Sequence, residues 1–331
     1  MTDLAPAPST FQILPTTHRL APADRWDHFL ARLGYKRSAH RLEPGLYALG
    51  HPSPASPVFV TANYTLSFDA LRSSLEGTDG YILVLDTQGI NVWCAAGKGS
   101  FGTDEIVSRV SAVRLKEVVD HRKLILPQLA APGVAAYQVK QRTGFSVEYG
   151  PVRAADLPAY LKTHQATPEM RRVRFTLGDR LVLIPVEIVH LILPVLAVAV
   201  ILYFVGGLVS GLAALAALLA GTVLFPLLLP WLPTPNFSTK GFFLGGLVAL
   251  PFALSVFLRH PDWLWWQQAG QALQFLLAIP SVTAFLALNF TGSTTFTSRS
   301  GVRREIFTYI PAMAWMFGIG ILLAIIFAFV R

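Results

Sequence analysis

Five apolar runs restrict this chain more than any other feature of its sequence. They cover roughly 182–204, 207–229, 241–258, 270–290 and 308–330, the third being the shortest. The stretch LAVAVILYFVGGLVSGLAALAALLAGTVLFPLLL (196–229) holds no charged residue. About 20 apolar residues cross a bilayer as a helix, and a helix satisfies its own backbone hydrogen bonds there. Residues 182–331 are therefore expected to form an all-α domain of five transmembrane helices. With 53% hydrophobic and 14% charged residues, the chain falls well below the charged content of an average soluble domain, about 25%. A membrane protein with one soluble domain fits; a soluble enzyme does not.

The formal net charge is +8, and much of the excess flanks the apolar runs, as in RRVRF (171–175) and GVRRE (301–305). Such placement signals membrane orientation and not nucleic-acid binding. With the first half inside, the inner flanks hold Arg171, Arg172, Arg174, Arg180, Lys240, Arg299, Arg303 and Arg304, and the outer flanks only Arg259 and Arg331. The expectation is a multi-pass protein of the cell inner membrane, with a cytoplasmic N-terminal domain and the C-terminus on the opposite side. DWLWW (262–266) then supplies an aromatic anchor on the far side. Glu187 and His190 are the only ionisable exceptions within the runs, near the start of the first. An ion or proton path would place more such groups at midplane, so the membrane half reads as anchor and scaffold. The loop TGSTTFTSRSGVRRE (291–305) is rich in Ser and Thr, and reads equally as a bland polar loop or a hydroxyl-lined lip.

The first half divides into an extended Pro-, Thr- and Ala-rich segment (1–22), an α/β domain (23–165) and a basic linker (166–181). MTDLAPAPST has neither a basic nor an apolar signal region and predicts no cleavable leader. ADRWDHFLARLG (23–34) spaces its apolar residues for a helix. Four apolar runs, PVFVTANY (57–64), YILVLD (81–86), KLILPQ (123–128) and FSVEYG (145–150), read as strands. Between and after them, helical spacing covers 67–75, 103–119, 133–143 and 155–164. This alternation predicts a mostly parallel, Rossmann-like sheet wrapped by helices, with ligands at the carboxyl ends of strands.

NVWCAAGKGS (91–100) follows the second of these strands and holds the only cysteine, Cys94. One cysteine excludes an internal disulfide and a protein-only Cys₄ cluster or zinc site. A lone cysteine is usually a small core residue. Three sharper readings compete with that. GKGSFG (97–102) is literally G-x-G-x-x-G, but Asp120, the acid at about the right distance, precedes the next strand instead of ending it. The Walker pattern fails as well, with Val92 at its first glycine and Gly99 after Lys98. NAD and ATP are disfavoured; a phosphate-cradling turn stays open. A nucleophilic thiolate is electrostatically feasible beside Lys98, with His28, His51 or His121 as conceivable bases, and has no sequence signature. The third reading is axial metal ligation.

For that reading a resemblance exists. GINVWCAAGKGSFGTDE (89–105), PVFVTANYTLSFDALR (57–72) and PQLAAPGVAAYQVKQRTGFSVEYGPVRAADLPAYL (127–161) resemble the corrinoid-binding domain of the corrinoid iron–sulfur protein family. NVWCAAGK (91–98), joined to five membrane spans, resembles the mercury-methylating corrinoid membrane protein (HgcA) family, over nearly the whole chain past residue 22. Unlike the acetyl-CoA-pathway relatives, the chain has no cysteines for a cluster of its own. The resemblance implies a corrinoid of cobalamin type lying on a cap helix of Asn91, Val92, Trp93, Cys94, Ala95, Ala96, Gly97 and Lys98, with Cys94 as lower axial cobalt ligand. Within the other two resembling stretches, Thr61, Asn63, Gln128 and Gly133 are the expected further contacts to the cofactor. Trp93 and the alanines would wall its lower face, and Lys98 would favour the thiolate or meet the corrin's polar tail.

The implied reaction moves a methyl group from methyl-cobalt to Hg(II). Hg(II) is an electrophile and accepts a carbanion or radical equivalent, which a strongly donating thiolate ligand favours, as axial thiolate does on haem iron. Cobalt left oxidised needs re-reduction, and this chain cannot carry the cluster that would do it. The resemblance implies a ferredoxin-like partner with two 4Fe–4S clusters, a methyltetrahydrofolate-linked methyl donor, and an anaerobic prokaryote as host. The competing expectations are a corrinoid methyl carrier of acetyl-CoA-type one-carbon metabolism, and a membrane sensor or transporter with a nucleotide-binding domain.

Overall fold

The computed structural model describes residues 12–36, 39–294 and 297–329, and the chain falls into two compact units. The first comprises the chain up to Ala31 and Tyr35–Val173; the second comprises Arg32–Gly34 and Arg174–Arg331. Of the extended segment expected at 1–22, residues 1–11 lie outside the described residues, and Leu14–Thr16 form a short strand, β1.

The first unit continues with α1 (Pro22–Arg32), β2 (Gly45–Leu49), β3 (Val58–Ala62), α2 (Thr65–Ser74) and β4 (Gly80–Leu85). Then come α3 (Val92–Lys98), α4 (Thr103–Ala112), α5 (Leu115–Val118), β5 (Lys123–Leu126), α6 (Ala136–Thr143), β6 (Ser146–Tyr149), α7 (Leu157–Thr163) and α8 (Pro168–Arg171). The sheet runs β1-β2-β4-β3-β5-β6, with every neighbouring pair parallel except β2 and β4. VFVTA and GYILVL are buried along their whole length, the pattern of strands covered on both faces. Val58, Val60, Ala62, Leu83 and Leu85 face a core shared with α3, α4, α5 and α6. Phe59, Ile82 and Val84 face the opposite core, closed by Phe68 and Leu71 of α2 and Leu157 and Tyr160 of α7. The result is a three-layer α/β/α unit. Because β4 and β5 flank β3 on opposite sides, the carboxyl ends of β3 and β5 form the topological switch point, where such sheets bind ligands.

Two local departures from the sequence reading have clear causes. β2 (GLYAL) is an added strand, antiparallel to β4, with Leu46 and Leu49 fully buried. The single helix expected over 103–119 is two, because Arg114 adopts a left-handed conformation (φ 44°). The turn lets Val113 and Leu115 enter the same core, which neighbouring positions of one helix do not do.

The second unit contains α9 (Leu177–Leu181), α10 (Ile184–Gly206), α11 (Leu208–Leu219), a π-helical turn (Ala220–Leu224), α12 (Phe225–Leu228), α13 (Phe237–Arg259), α14 (Trp265–Asn289) and α15 (Arg299–Phe329). Among the described residues, five helical segments are long and apolar enough to cross a membrane: Leu177–Gly206, Leu208–Leu228, Phe237–Arg259, Trp265–Ser293 and Ser300–Phe329. α13 and α14 pack through small residues. A Cβ on Gly241 would lie 2.5 Å from Ala284 Cα, and one on Gly245 2.6 Å from Pro280 Cα.

The polar groups near the helix ends bind backbone. Arg180, counted above for orientation, donates to the carbonyls of Pro226 (3.1 Å) and Leu227 (2.8 Å). Lys240 donates to those of Leu229 and Leu232 (2.9 and 2.8 Å), so both cations close the C-terminal end of the second span. Glu305 accepts the Phe237 and Ser238 N–H groups and the Ser238 hydroxyl, capping α13. Glu187 accepts from Ser293 of the Ser/Thr-rich loop at 3.0 Å. Thr295 and Phe296 of that loop, and the expected outer residue Arg331, lie outside the described residues.

Candidate functional site

The site is built on α3, which enters from the loop after β4 and packs against the 3-10 turn Gln128–Ala130 and against β3. It therefore lies over the switch point. Asn91 is its N-cap, with Oδ1 accepting the Cys94 N–H at 2.9 Å. Gly99 ends it in the left-handed conformation (φ 90°), where glycine carries no Cβ penalty. Val92, Ala95 and Ala96 form the buried face. Trp93 and Cys94 are half-buried, and Asn91, Gly97 and Lys98 are exposed. The outer face thus centres on the Cys94 thiol, with Gly97 and Lys98 one turn on.

The loop before α3 is held from below by Asn63, which is 2% exposed. Its Oδ1 accepts the backbone N–H groups of Thr87 (3.0 Å) and Gly89 (2.9 Å), and its Nδ2 donates to Asp86 at 3.2 Å. The Thr87 hydroxyl, fully buried, sits 2.6 Å from the Ile90 carbonyl and 2.9 Å from Asn63 Oδ1. From α4, Glu105 accepts the Asp86 N–H at 2.9 Å and the Arg109 guanidinium at 2.8 Å. One buried amide at the end of β3 therefore fixes the register of the loop that presents α3. Asn63 acts on the loop through its Oδ1, which accepts from backbone, and through one Nδ2 bond to the Asp86 side chain.

The remaining expected contacts divide in the same way. Thr61 lies within β3, paired with Val84 and 3% exposed, and packs inside the sheet. Gln128 is half-buried and accepts from Arg171 at 3.0 Å. Gly133 is where a loop meets the underside of α3: a Cβ there would lie 2.4 Å from the Phe101 carbonyl oxygen and 2.9 Å from that of Ala96. Tyr149, its phenol pushed up by burial, donates to the Val134 carbonyl at 2.7 Å and anchors that loop. Gly133 and Ala96 thus meet backbone to backbone, and only glycine permits it. Thr87 and Glu105 carry no mark in the sequence. DTQG marked a turn, but nothing marked which distant side chains would bind it.

The geometry tests the competing chemistries. Gly97 lies inside α3, so GKGSFG does not form the strand–turn–helix of a dinucleotide site. Gly99 caps the helix, and a Cβ on Gly102 would lie 2.6 Å from the Gly99 carbonyl oxygen. Among the candidate bases, His121 bonds Ser56 ahead of β3, at the opposite end of the sheet from α3, and His28 bonds Asp69 of α2. Among the described residues no three His, Cys, Asp or Glu side chains converge to hold a metal ion. A soft metal here would have one protein donor, Cys94, and take its other ligands from a cofactor. The face around that donor leaves room for a flat macrocycle, since a Cβ on Gly97 would meet nothing within 4 Å beyond its chain neighbours and the backbone of its own helix. The donor set and the open face fit a corrinoid.

Residues 35–161 match the family described as CO dehydrogenase/acetyl-CoA synthase delta subunit (CdhD), a match confined to the first unit. The chain is 33% identical over 128 residues to the acetyl-CoA decarbonylase/synthase complex subunit gamma of Archaeoglobus fulgidus, covering 38% of this chain and 27% of the relative. The same figures relate it to the corresponding subunit of Methanopyrus kandleri. It is 28% identical over 153 residues to the corrinoid/iron-sulfur protein large subunit of Moorella thermoacetica, covering 44% of this chain and 34% of the relative. The matched segment thus spans about a quarter to a third of the length of these relatives.

Proposed function

We propose that this chain is a membrane-anchored, corrinoid-dependent methyltransferase, with the Cys94 thiolate as lower axial ligand of cobalt and Hg(II) as methyl acceptor. One observation carries the reading. α3 buries Val92, Ala95 and Ala96 and turns the chain's single thiol outward over the switch point, beside open space at Gly97. The relatives' names, which include a corrinoid/iron-sulfur protein, support the cofactor. When bound, a corrinoid supplies a cobalt atom that takes up and releases a methyl group, and a thiolate below it increases the electron density offered to the methyl carbon.

The chain's own residues have separate tasks in this reading. Asn91 fixes the first turn of α3 through the Cys94 N–H, so the thiol's direction is set by backbone. Half-buried Trp93 shields the lower face from water, and exposed Lys98 meets the corrin's polar periphery. A donating sulfur ligand favours an electrophilic acceptor over a nucleophilic one, and the NVWCAAGK resemblance points to the same acceptor. Reducing electrons come from a ferredoxin-like partner with two 4Fe–4S clusters, and the methyl group from a methyltetrahydrofolate-linked donor. The five apolar helices anchor this machinery in the inner membrane of an anaerobic prokaryote, with the first unit cytoplasmic.

A second reading is favoured by the relatives' names: a corrinoid methyl carrier of acetyl-CoA-type metabolism. A carrier delivers methyl to a nucleophile and has no use for a thiolate ligand. Methylmercury formation by whole cells separates the two. Cys94→Ala and Cys94→Thr are expected to reduce it to background. Undiminished methylation in either variant contradicts the proposal, and acetyl-CoA formation that depends on the protein and survives Cys94→Thr establishes the carrier.

A further inference from the structure

α1 is built inside out. Its polar residues face the protein: Asp24 meets Arg72 of α2 at 2.6 Å, and His28 meets Asp69 of α2 at 2.7 Å. Asp27 meets His40 at 2.7 Å and accepts the Thr65 hydroxyl at 2.6 Å. Asp69 and Arg72 are themselves buried and joined at 2.6 Å. The aromatic residues of α1 face away. Trp26 is 62% exposed and Phe29 50%, and their rings stack with centroids 5.4 Å apart. Residues three and four apart share a helix face, so Arg25, Trp26, Phe29 and Arg32 form one outward stripe, and all four are exposed. Past the helix end Tyr35 and Lys36 are exposed as well, with the Lys36 Nζ 5.4 Å from the Tyr35 ring centre.

A helix on the surface of a soluble domain is turned the other way round. Single exposed apolar residues are ordinary, but a stacked tryptophan–phenylalanine pair bordered by cations is a contiguous patch, the kind that marks an interaction surface. The stripe carries no acid. Asp24 and Asp27 sit on the inward side, and each is already bound to donors.

The end of the helix indicates what covers the patch. Arg32–Gly34 group with the second unit. A Cβ on Gly34 would lie 2.8 Å from Val186 and 2.6 Å from His190, so this turn packs onto the first two turns of α10. α10 belongs to the first apolar segment, Leu177–Gly206. The stripe therefore ends against the N-terminal part of a membrane span. That is the depth at which tryptophan and tyrosine gather and lysine and arginine meet lipid phosphates. A helix that presents Trp and Phe between Arg and Lys lies in the plane of such an interface.

We propose that α1 is an interfacial helix on an anionic bilayer, with Trp26 and Phe29 sunk among the upper acyl chains and Arg25, Arg32 and Lys36 on lipid phosphates. Through Asp24, Asp27 and His28 it ties the first unit to that bilayer. This inference rests on the second unit spanning a membrane and is independent of the corrinoid reading.

The test is spin-label accessibility on the full chain, one copy per nanodisc of phosphatidylcholine and phosphatidylglycerol. A nitroxide is attached at Trp26→Cys or at Phe29→Cys in a Cys94→Ser background, with Leu193→Cys of α10, 74% exposed, as the hydrocarbon reference. Oxygen concentrates among acyl chains and a neutral nickel chelate in water. Collisions with oxygen should dominate at both α1 positions, as at Leu193. Arg25→Glu, Arg32→Glu and Lys36→Glu together should weaken docking by about fivefold per cation, roughly 100-fold in all, and turn the preference at Phe29→Cys toward the chelate. A chelate preference at positions 26 and 29, with Leu193 in hydrocarbon, overturns this inference alone and leaves the face free for a protein partner. Shielding from both reagents overturns it too, because protein would then cover the face. So does an oxygen preference that the triple variant leaves unchanged. A chelate preference at Leu193 as well would overturn the membrane assignment and this inference with it.

Discussion

Asn63→Leu is the substitution that most sharply separates holding the site from forming it. It keeps similar volume at a position 2% exposed and deletes the hydrogen bonds from the Thr87 and Gly89 N–H groups and to Asp86. A buried donor left unpaired costs about 1–3 kcal/mol. Thr87 is fully buried and bears the whole penalty, whereas Gly89 is half-buried and recovers part of its own from water. The expected loss is about 2–4 kcal/mol, localised to residues 86–91. At 1.4 kcal/mol per decade, that is a roughly 30- to 700-fold larger equilibrium constant for local opening. Hydrogen exchange with mass spectrometry on the full chain reads it directly. Peptides covering 86–98 should lose protection by that factor, while peptides from β5, β6 and α7 change little. Reaction of Cys94 with an aromatic disulfide should quicken in parallel. Unchanged protection across 86–91 would refute the assignment of Asn63 as the residue that fixes this loop.

Three further outcomes are expected. Gly133→Ala should destabilise the first unit by about 2 kcal/mol or more in urea titration, because its Cβ would meet two carbonyl oxygens; Gly97→Ala, facing open space in a helix, should be neutral to stabilising by up to about 1 kcal/mol and still weaken corrinoid binding. Asn91→Ala should cost about 1 kcal/mol through the lost cap and raise exchange at the Cys94 amide, with Asn91→Asp largely restoring both. Burial pushes the Glu148 carboxyl up, but Lys123 at 3.1 Å and His164 at 3.2 Å outweigh it and hold the group below its ordinary value. The lowered folded value means that its contribution is present above the ordinary glutamate value, about 4.5, and fades as pH falls further, so Glu148→Gln should flatten the acid limb of the stability profile in that window.

The sequence made the centre of the sheet legible and its edges obscure. VFVTA and YILVLD are continuous apolar runs, and continuous runs are what two-sided burial requires. GLYAL is short and framed by proline and glycine, and β1 has three residues, so neither shows a period. The left-handed turn at Arg114 carries no glycine or proline, and the apolar spacing runs straight through it. At the site, the family resemblance implied the short α3, while the residues alone left its cysteine undecided between inert and reactive. The work of Asn63, Glu105 and Gly133 does not, because each acts on backbone distant in sequence, and only the strand order brings them together. In the membrane half, hydropathy located five segments but could not show that Arg180, Lys240 and Glu305 cap broken helix ends.

The central claim is that the Cys94 sulfur binds cobalt. The anaerobic visible spectrum of the full-length protein loaded with cobalamin tests it most directly, with wild type and Cys94→Ala compared at equal corrinoid occupancy. Sulfur coordination predicts a cobalt-centred band shift in the wild type that Cys94→Ala removes, returning the spectrum to that of cobalamin without a thiolate ligand. Superimposable spectra from the two proteins would contradict the account.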